Sequence, residues 1–298
     1  MHKGFGNASI IPDDRPVPLE WKSALMLTVL TVAGLGMFAW PLFIPATSAD
    51  TMDSSAPFIF VALLPLLIFL VLAQISERGM DAKALAILGV LSAVNAVLRP
   101  LGAGTNGIET VFFLLILAGR VFGPGFGFVL GCTSLFASAL LTAGVGPWMP
   151  FQMLASAWIG MGAGLLPGRL FGRDLTGKAE VAMLIVYGIV VAYLFGAIMN
   201  LWFWPFMTGP AMPDSTSLAY IPGGGLLENL QRFGWYTLIT STAVWDTGRA
   251  IANTVLLALL GRPFLAAFRR TVRRAHFNPH VAFHPVSPAP AVPEAPSA

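Results

Sequence analysis

The chain carries one cysteine, Cys132, in 298 residues, so it forms no internal disulfide and no thiolate metal cluster. Its four histidines, His2, His276, His280 and His284, all lie in the terminal segments, which excludes haem or zinc held by histidine within an apolar body. Charge is also scarce: 10% of residues are charged, against roughly a quarter in soluble domains. There is no Walker A lysine loop, no nucleophile elbow and no pair of metal ligands at helical spacing, so ATP hydrolysis by this chain is not expected. No enzyme activity, catalytic residue, metal or cofactor is assigned. The stretch from Met1 to Lys22 is polar, and the apolar run after it is too long for a signal-peptide core, so no cleavable signal is expected. The pI near 9.3 does not point to nucleic acid, because the basic residues stand singly between apolar runs and cluster only at Arg269, Arg270, Arg273 and Arg274.

What is present is apolar length. Hydrophobic residues make up 56% of the chain and the mean hydropathy is +0.76. Runs long enough to cross a hydrocarbon core recur at 23–45, 57–75, 83–99, 107–122, 124–143, 150–167, 180–205 and 233–261, each bounded by charge, Pro or Gly. The expected fold is all-α, a polytopic membrane bundle of about eight helices. Lys and Arg prefer the cytoplasmic side of short loops. With the N-terminus inside, 14 of the 17 basic residues fall on that side, Arg99 and Arg232 fall outside, and Arg249 lies within the last span. Both termini are therefore expected in the cytoplasm, and the membrane expected is the inner membrane of a prokaryote.

The chemistry of such a chain lies in polar groups placed where lipid makes them costly. In the eighth span Asp246, Arg249 and Asn253 stand at i, i+3 and i+7 and share one face. That face is either the wall of a binding site or a self-neutralising pair that ties helices together. The third span ends with Asn95 and Arg99-Pro100, and Thr105, Asn106 and Glu109 follow at the start of the fourth. These are candidate ligand contacts; equally, Thr105 or Asn106 caps the fourth helix, Glu109 complements its dipole and Arg99 snorkels to the interface. Between the fifth and sixth spans, GVGPWMPFQ offers Trp148 as an apolar wall or interfacial anchor, with Gln152 one turn into the helix as a hydrogen-bonding group.

The connection from about Pro205 to Gly234 is the longest and is rich in Pro, Gly and aromatic residues, the composition of a lid, a binding loop or a disordered segment. Within it, Leu226, Leu227 and Leu230 around Glu228 suit a short interfacial helix. After Arg274 the sequence is Pro- and Ala-rich and reads as disordered. Small residues run at spacings of three to four along the third span at Ala82, Ala86, Gly89 and Ala93, and glycines punctuate the fifth and sixth spans. Such faces serve close packing within the chain or docking of another subunit.

The run FFLLILAGRVFGPGFGFVLGCTSLFASALLTAGVGPWMPFQMLASAWIGMGAGLLPGRLFG and the final WDTGRAIANTVLLALLGRP resemble the S component of energy-coupling factor transporters, the subunit that captures vitamins or metal ions. The resemblance covers residues 83–262. It implies a cytoplasmic segment at 1–22, two additional helices at 23–75 that the family's six-helix core does not have, that core at 83–262, and a basic then Pro-rich tail at 263–298. It further implies an outward-facing pocket at Trp148, Gln152, Asn200, Trp204 and Asp246, and a docking face at Ala82 and Ala86, continued by Gly89 and Ala93. The implied partners are a T subunit and two ATPase subunits, within the lipid bilayer and without nucleic acid. The S component topples on the T subunit to release its substrate inside. The segment AVLRPLGAGTNGIETVFFLLILAGRVFGPGFGFVLG is similar to members associated with cobalamin or its precursors, and with no histidine near the membrane a corrinoid would be held by its periphery. The competing readings are a proton-coupled secondary transporter or membrane enzyme using Asp246 and Arg249, and a scaffold whose small-residue faces bind other helices.

Overall fold

The shortest of the apolar helices sits at the centre. In the computed structural model, which describes residues 21–39, 42, 80, 82–102, 107–170, 172–207, 218–221 and 224–275, eight α-helices are seen. They are α1 (Trp21–Ala39), α2 (Ala82–Leu101), α3 (Val111–Phe122), α4 (Pro124–Leu141), α5 (Met149–Leu165), α6 (Gly177–Phe203), α7 (Leu226–Thr237) and α8 (Thr247–Ala275). A π-helical segment, Leu238–Asp246, joins α7 to α8, and a two-stranded hairpin of β1 (Arg169–Leu170) and β2 (Arg173–Asp174) joins α5 to α6. The expected second span, 57–75, lies outside the described residues. Five helical stretches among those described are long and apolar enough to cross a membrane, and the protein is a helical membrane bundle.

Every residue of α3, VFFLLILAGRVF, is buried. A helix apolar all round is one surrounded by others, and α3 packs against α4, α5 and α8. At 12 residues it spans about 18 Å, less than the roughly 30 Å of a bilayer core. It begins four residues later than the expected 107, so Gly107 to Thr110 lie as irregular backbone beside the other helices. Thr110 stands at the N-cap, but its hydroxyl donates to the Leu98 carbonyl at 2.8 Å rather than to its own helix. The alternative caps, Thr105 and Asn106, lie outside the described residues.

The turn from α3 into α4 is made at Gly123, whose φ of 105° favours glycine, followed by Pro124 at the first position of α4. Where α3, α4 and α5 meet, a Cβ built on Gly160 would strike the Gly127 backbone, and one built on Gly127 would strike Gly160. The stripes of the fifth and sixth spans therefore serve packing inside the chain. Gly160→Ala is expected to cost about 1–3 kcal/mol through forced backbone shifts, read as a lowered melting temperature of the detergent-purified protein. Gly89→Ala, where a Cβ meets nothing within 4 Å, is expected to be neutral or mildly stabilising.

The last helix differs from its expected span of 233–261. Helical structure runs without interruption from Leu226 through the π segment to Ala275, past Gly261 and Pro263. The expected interfacial helix at 226–230 is thus the first part of one continuous rod, and residues 263–275 are helix rather than tail. The reason lies in packing: Leu265 is buried, Phe264 meets Phe113 at 5.1 Å, and Phe268 meets Phe122 at 5.7 Å, so the helix still covers the core beyond the proline.

Helix α1 lies against α5 and α6. Phe38 meets Phe151 edge-on at 5.0 Å, and Phe151 stacks on Trp202 at 4.4 Å with ring planes 4° apart.

Candidate ligand-binding site

The fold has two chemically distinct ends. One gathers Arg120, the hairpin arginines, Arg262 and Arg269; the opposite, distal end holds Arg99, Glu109 and Gln152.

Arg249 organises the distal end. Its Nε and Nη2 donate to the two Glu109 carboxylate oxygens at 3.0 and 3.2 Å, and its Nη1 donates to Asp246 Oδ1 at 2.7 Å and to the Ala192 carbonyl at 3.3 Å. The planar fork of a guanidinium suits such double engagement. The rings of Phe195 and Phe112 lie 4.9 and 5.6 Å from its guanidinium carbon. The Asp246 side chain is completely buried, and it also accepts from Ser241 Oγ at 3.1 Å and Thr242 Oγ1 at 3.4 Å. The π-helical winding makes this possible, because its i→i+5 repeat brings Ser241 over Asp246. On the other side, α6 offers Gly196, where any Cβ would collide with the Asp246 carboxylate.

Arg99 continues this arrangement. Its Nη2 donates to Gln152 Oε1 at 2.7 Å, and it lies within electrostatic reach of Glu109. Gln152, Arg99, Glu109, Arg249 and Asp246 thus form a polar belt across α5, α2, the segment before α3 and the last helix. Glu109 is the more open of the belt's two carboxylates, with a third of its side chain exposed. Arg99 and Glu109 of the 95–109 corner and Asp246 and Arg249 of the last helix are thus brought together in space. Arg249 reaches across to Glu109 and the Ala192 carbonyl, whereas the hydrogen-bond partners of Asp246, namely Ser241, Thr242 and Arg249, lie on its own continuous helix.

The other nominated residues stand apart from the belt. Asn95 is buried and donates to Ser134 Oγ at 3.0 Å, joining α2 to α4, while Asn253 donates to the Gly188 carbonyl at 3.1 Å, joining α8 to α6. Trp148 is exposed in the α4–α5 turn, where its indole donates to the Gly144 carbonyl at 3.3 Å. Trp204 is buried in a small aromatic cluster with Tyr220 and Tyr236, its indole donating to the Leu218 carbonyl at 2.8 Å. Burial there raises the pKa of the Tyr220 phenol above its ordinary value. The Asn200 amide nitrogen is buried without a hydrogen-bond partner among the described residues. Asn106 lies outside them. Ala82, Ala86, Gly89 and Ala93 are all exposed on the outward face of α2.

Sequence reasoning passed over two residues that the structure makes prominent. Trp202, not Trp204, joins the Phe151 stack; two tryptophans two apart face different ways on a helix, and composition does not say which turns inward. At the basic end, Glu180 is fully buried and accepts from Arg120 Nε at 2.8 Å and Arg269 Nη2 at 2.7 Å. A lone carboxylate opening an apolar span was the available signal.

A family model described as the substrate-specific component of ECF transporters matches residues 83–261 of the chain. No curated protein and no solved structure matches it.

Proposed function

The chain belongs to the ECF transporter substrate-specific component family, and from that membership we propose that its distal end captures a vitamin or related micronutrient, with cobalamin or a corrinoid precursor the best fit. The observation that carries this reading is the belt of Gln152, Arg99, Glu109, Arg249 and Asp246 at the end of the bundle where the long Pro-, Gly- and aromatic-rich segment leaves α6 and returns into α7. Its donors and acceptors alternate, which suits a ligand whose rim carries many amides. A corrinoid held by its periphery needs no histidine, and none lies within the described helices. Trp148, exposed one helical turn before Gln152, supplies flat apolar surface nearby.

On this reading the distal end faces outward and both termini lie in the cytoplasm of a prokaryotic cell. Recognition resides in the six-helix core at 83–262, to which the segment 23–75 is an addition. The exposed small-residue face of α2 meets a T subunit, and two ATPase subunits supply the energy for toppling and release. The buried Arg249 fork is a fixed post that holds Glu109 in place, while Gln152 and Arg99, nearer the loops, contact the ligand.

Calorimetry of the detergent-purified chain with cobalamin, cobinamide, riboflavin, thiamine and biotin tests the proposal. One-to-one binding of a single panel member without ATP is expected, weakened about tenfold, or 1.4 kcal/mol, in Gln152→Ala. Trp148→Ala is expected to weaken it as well. Well-folded protein that binds nothing in the panel would overturn the vitamin reading.

A further inference from the structure

At the opposite end, a cavity of about 320 Å³ opens between the start of α6 and the last turns of α8, lined by Gly177, Glu180, Arg262, Leu265, Ala266, Arg269 and Arg273. Its three arginines stand at i, i+7 and i+11, which places them along one helix face. Arg269 is engaged by Glu180, whose single carboxylate is shared with Arg120. Arg262 and Arg273 are exposed and form no ion pair among the described residues. The cavity therefore carries unneutralised positive charge.

Two further features sharpen its chemistry. The first turn of α6 has amides without intrahelical acceptors, and Thr176 at its N-cap makes no side-chain capping bond. A Cβ built on Gly177 would lie 3.9 Å from Arg262 Nη2, so that guanidinium reaches over the helix start. Both groups favour an anion. Moving from Arg262 away from the basic end, the same stripe of α8 continues through Leu259 and Val255, at i−3 and i−7, and both are exposed. Basic residues followed by an exposed apolar track along one helix face match a charged head group followed by a hydrocarbon tail. A free anion would use only the first half of that arrangement.

We propose that this cavity is a binding site for an anionic phospholipid, its phosphate held between Arg262 and Arg273 at the α6 N-terminus and one acyl chain lying along Leu259 and Val255. Basic pockets between membrane helices bind anionic head groups in this way. The site lies at the other end of the bundle from the polar belt and stands whichever solute the belt takes.

Native mass spectrometry of the full-length chain in detergent tests it, with phosphatidylglycerol and phosphatidylcholine of equal chain length competing at equal concentration. One retained phosphatidylglycerol is expected, preferred about tenfold over phosphatidylcholine. The double variant R262Q/R273Q, which leaves the Arg120–Glu180–Arg269 cluster intact, is expected to lose that preference. R270Q/R274Q removes the same charge from the same helix about 80–120° around its axis and is expected to keep it. Equal losses in both variants, or no preference in the native chain, would overturn the site. Displacement of the lipid by millimolar inorganic phosphate would also overturn it, by reducing the cavity to a general anion site.

Discussion

Arg249→Ala is expected to be among the most damaging single substitutions in the protein, costing about 3–5 kcal/mol because it leaves the buried Asp246 carboxylate without its cation. Asp246 would retain only the Ser241 and Thr242 hydroxyls, in a side chain with no exposure at all. Glu109 would lose both of its hydrogen bonds to the guanidinium. Because Glu109 precedes α3 while Arg249 lies in the last helix, the loss is expected to loosen the distal end as a whole. Thermal unfolding followed by size-exclusion chromatography in detergent measures it. Arg249→Lys is expected to fall between the native chain and the alanine variant, since an ammonium lacks the planar fork that engages two carboxylates at once. Adding Asp246→Leu to Arg249→Met is expected to recover a large part of the stability, because it removes the fully buried carboxylate and leaves only the partly exposed Glu109 without its partner. A double variant no more stable than Arg249→Ala would show that the pair is not the source of the loss.

Gly89→Leu is expected to do the reverse: leave the fold and ligand binding intact and reduce uptake by at least about tenfold. The four small residues of α2, Ala82, Ala86, Gly89 and Ala93, are all exposed, and a Cβ at Gly89 meets nothing within 4 Å. The fold therefore has room for a larger side chain there. A partner helix docked on this face as proposed would not, because a stripe of small residues allows close backbone approach and a leucine would hold the partner away. Uptake by cells expressing the T and ATPase subunits, measured alongside co-purification of those subunits, separates docking from binding. Uptake at the native level with Gly89→Leu would rule this face out as the contact.

The contrast between these two substitutions marks where sequence reasoning reached and where it stopped. The glycine stripes of α4 and α5 and the stripe of α2 look alike in the sequence, yet the first two are buried against each other and the third faces outward. The Asp246, Arg249 and Asn253 face was legible from helical spacing, and so was the cluster around Arg99 and Glu109. Their union was not, because Glu109 and Arg249 are 140 residues apart. Nor does hydropathy announce the π-helical segment that brings Ser241 over Asp246, or the continuation of α8 past Pro263.

The sequence by itself determined that this is a helical membrane protein, the approximate place of most of the described helices, and that the basic residues among them gather at one end. Each of these follows from the local match between apolar length, single charges and a bilayer of set thickness. Only the tertiary structure decided which polar groups meet: Arg249 with Glu109, Arg99 with Gln152, and Glu180 between two arginines. Those meetings depend on the rotation and depth of each helix, and both are set by packing against neighbours far away in the chain.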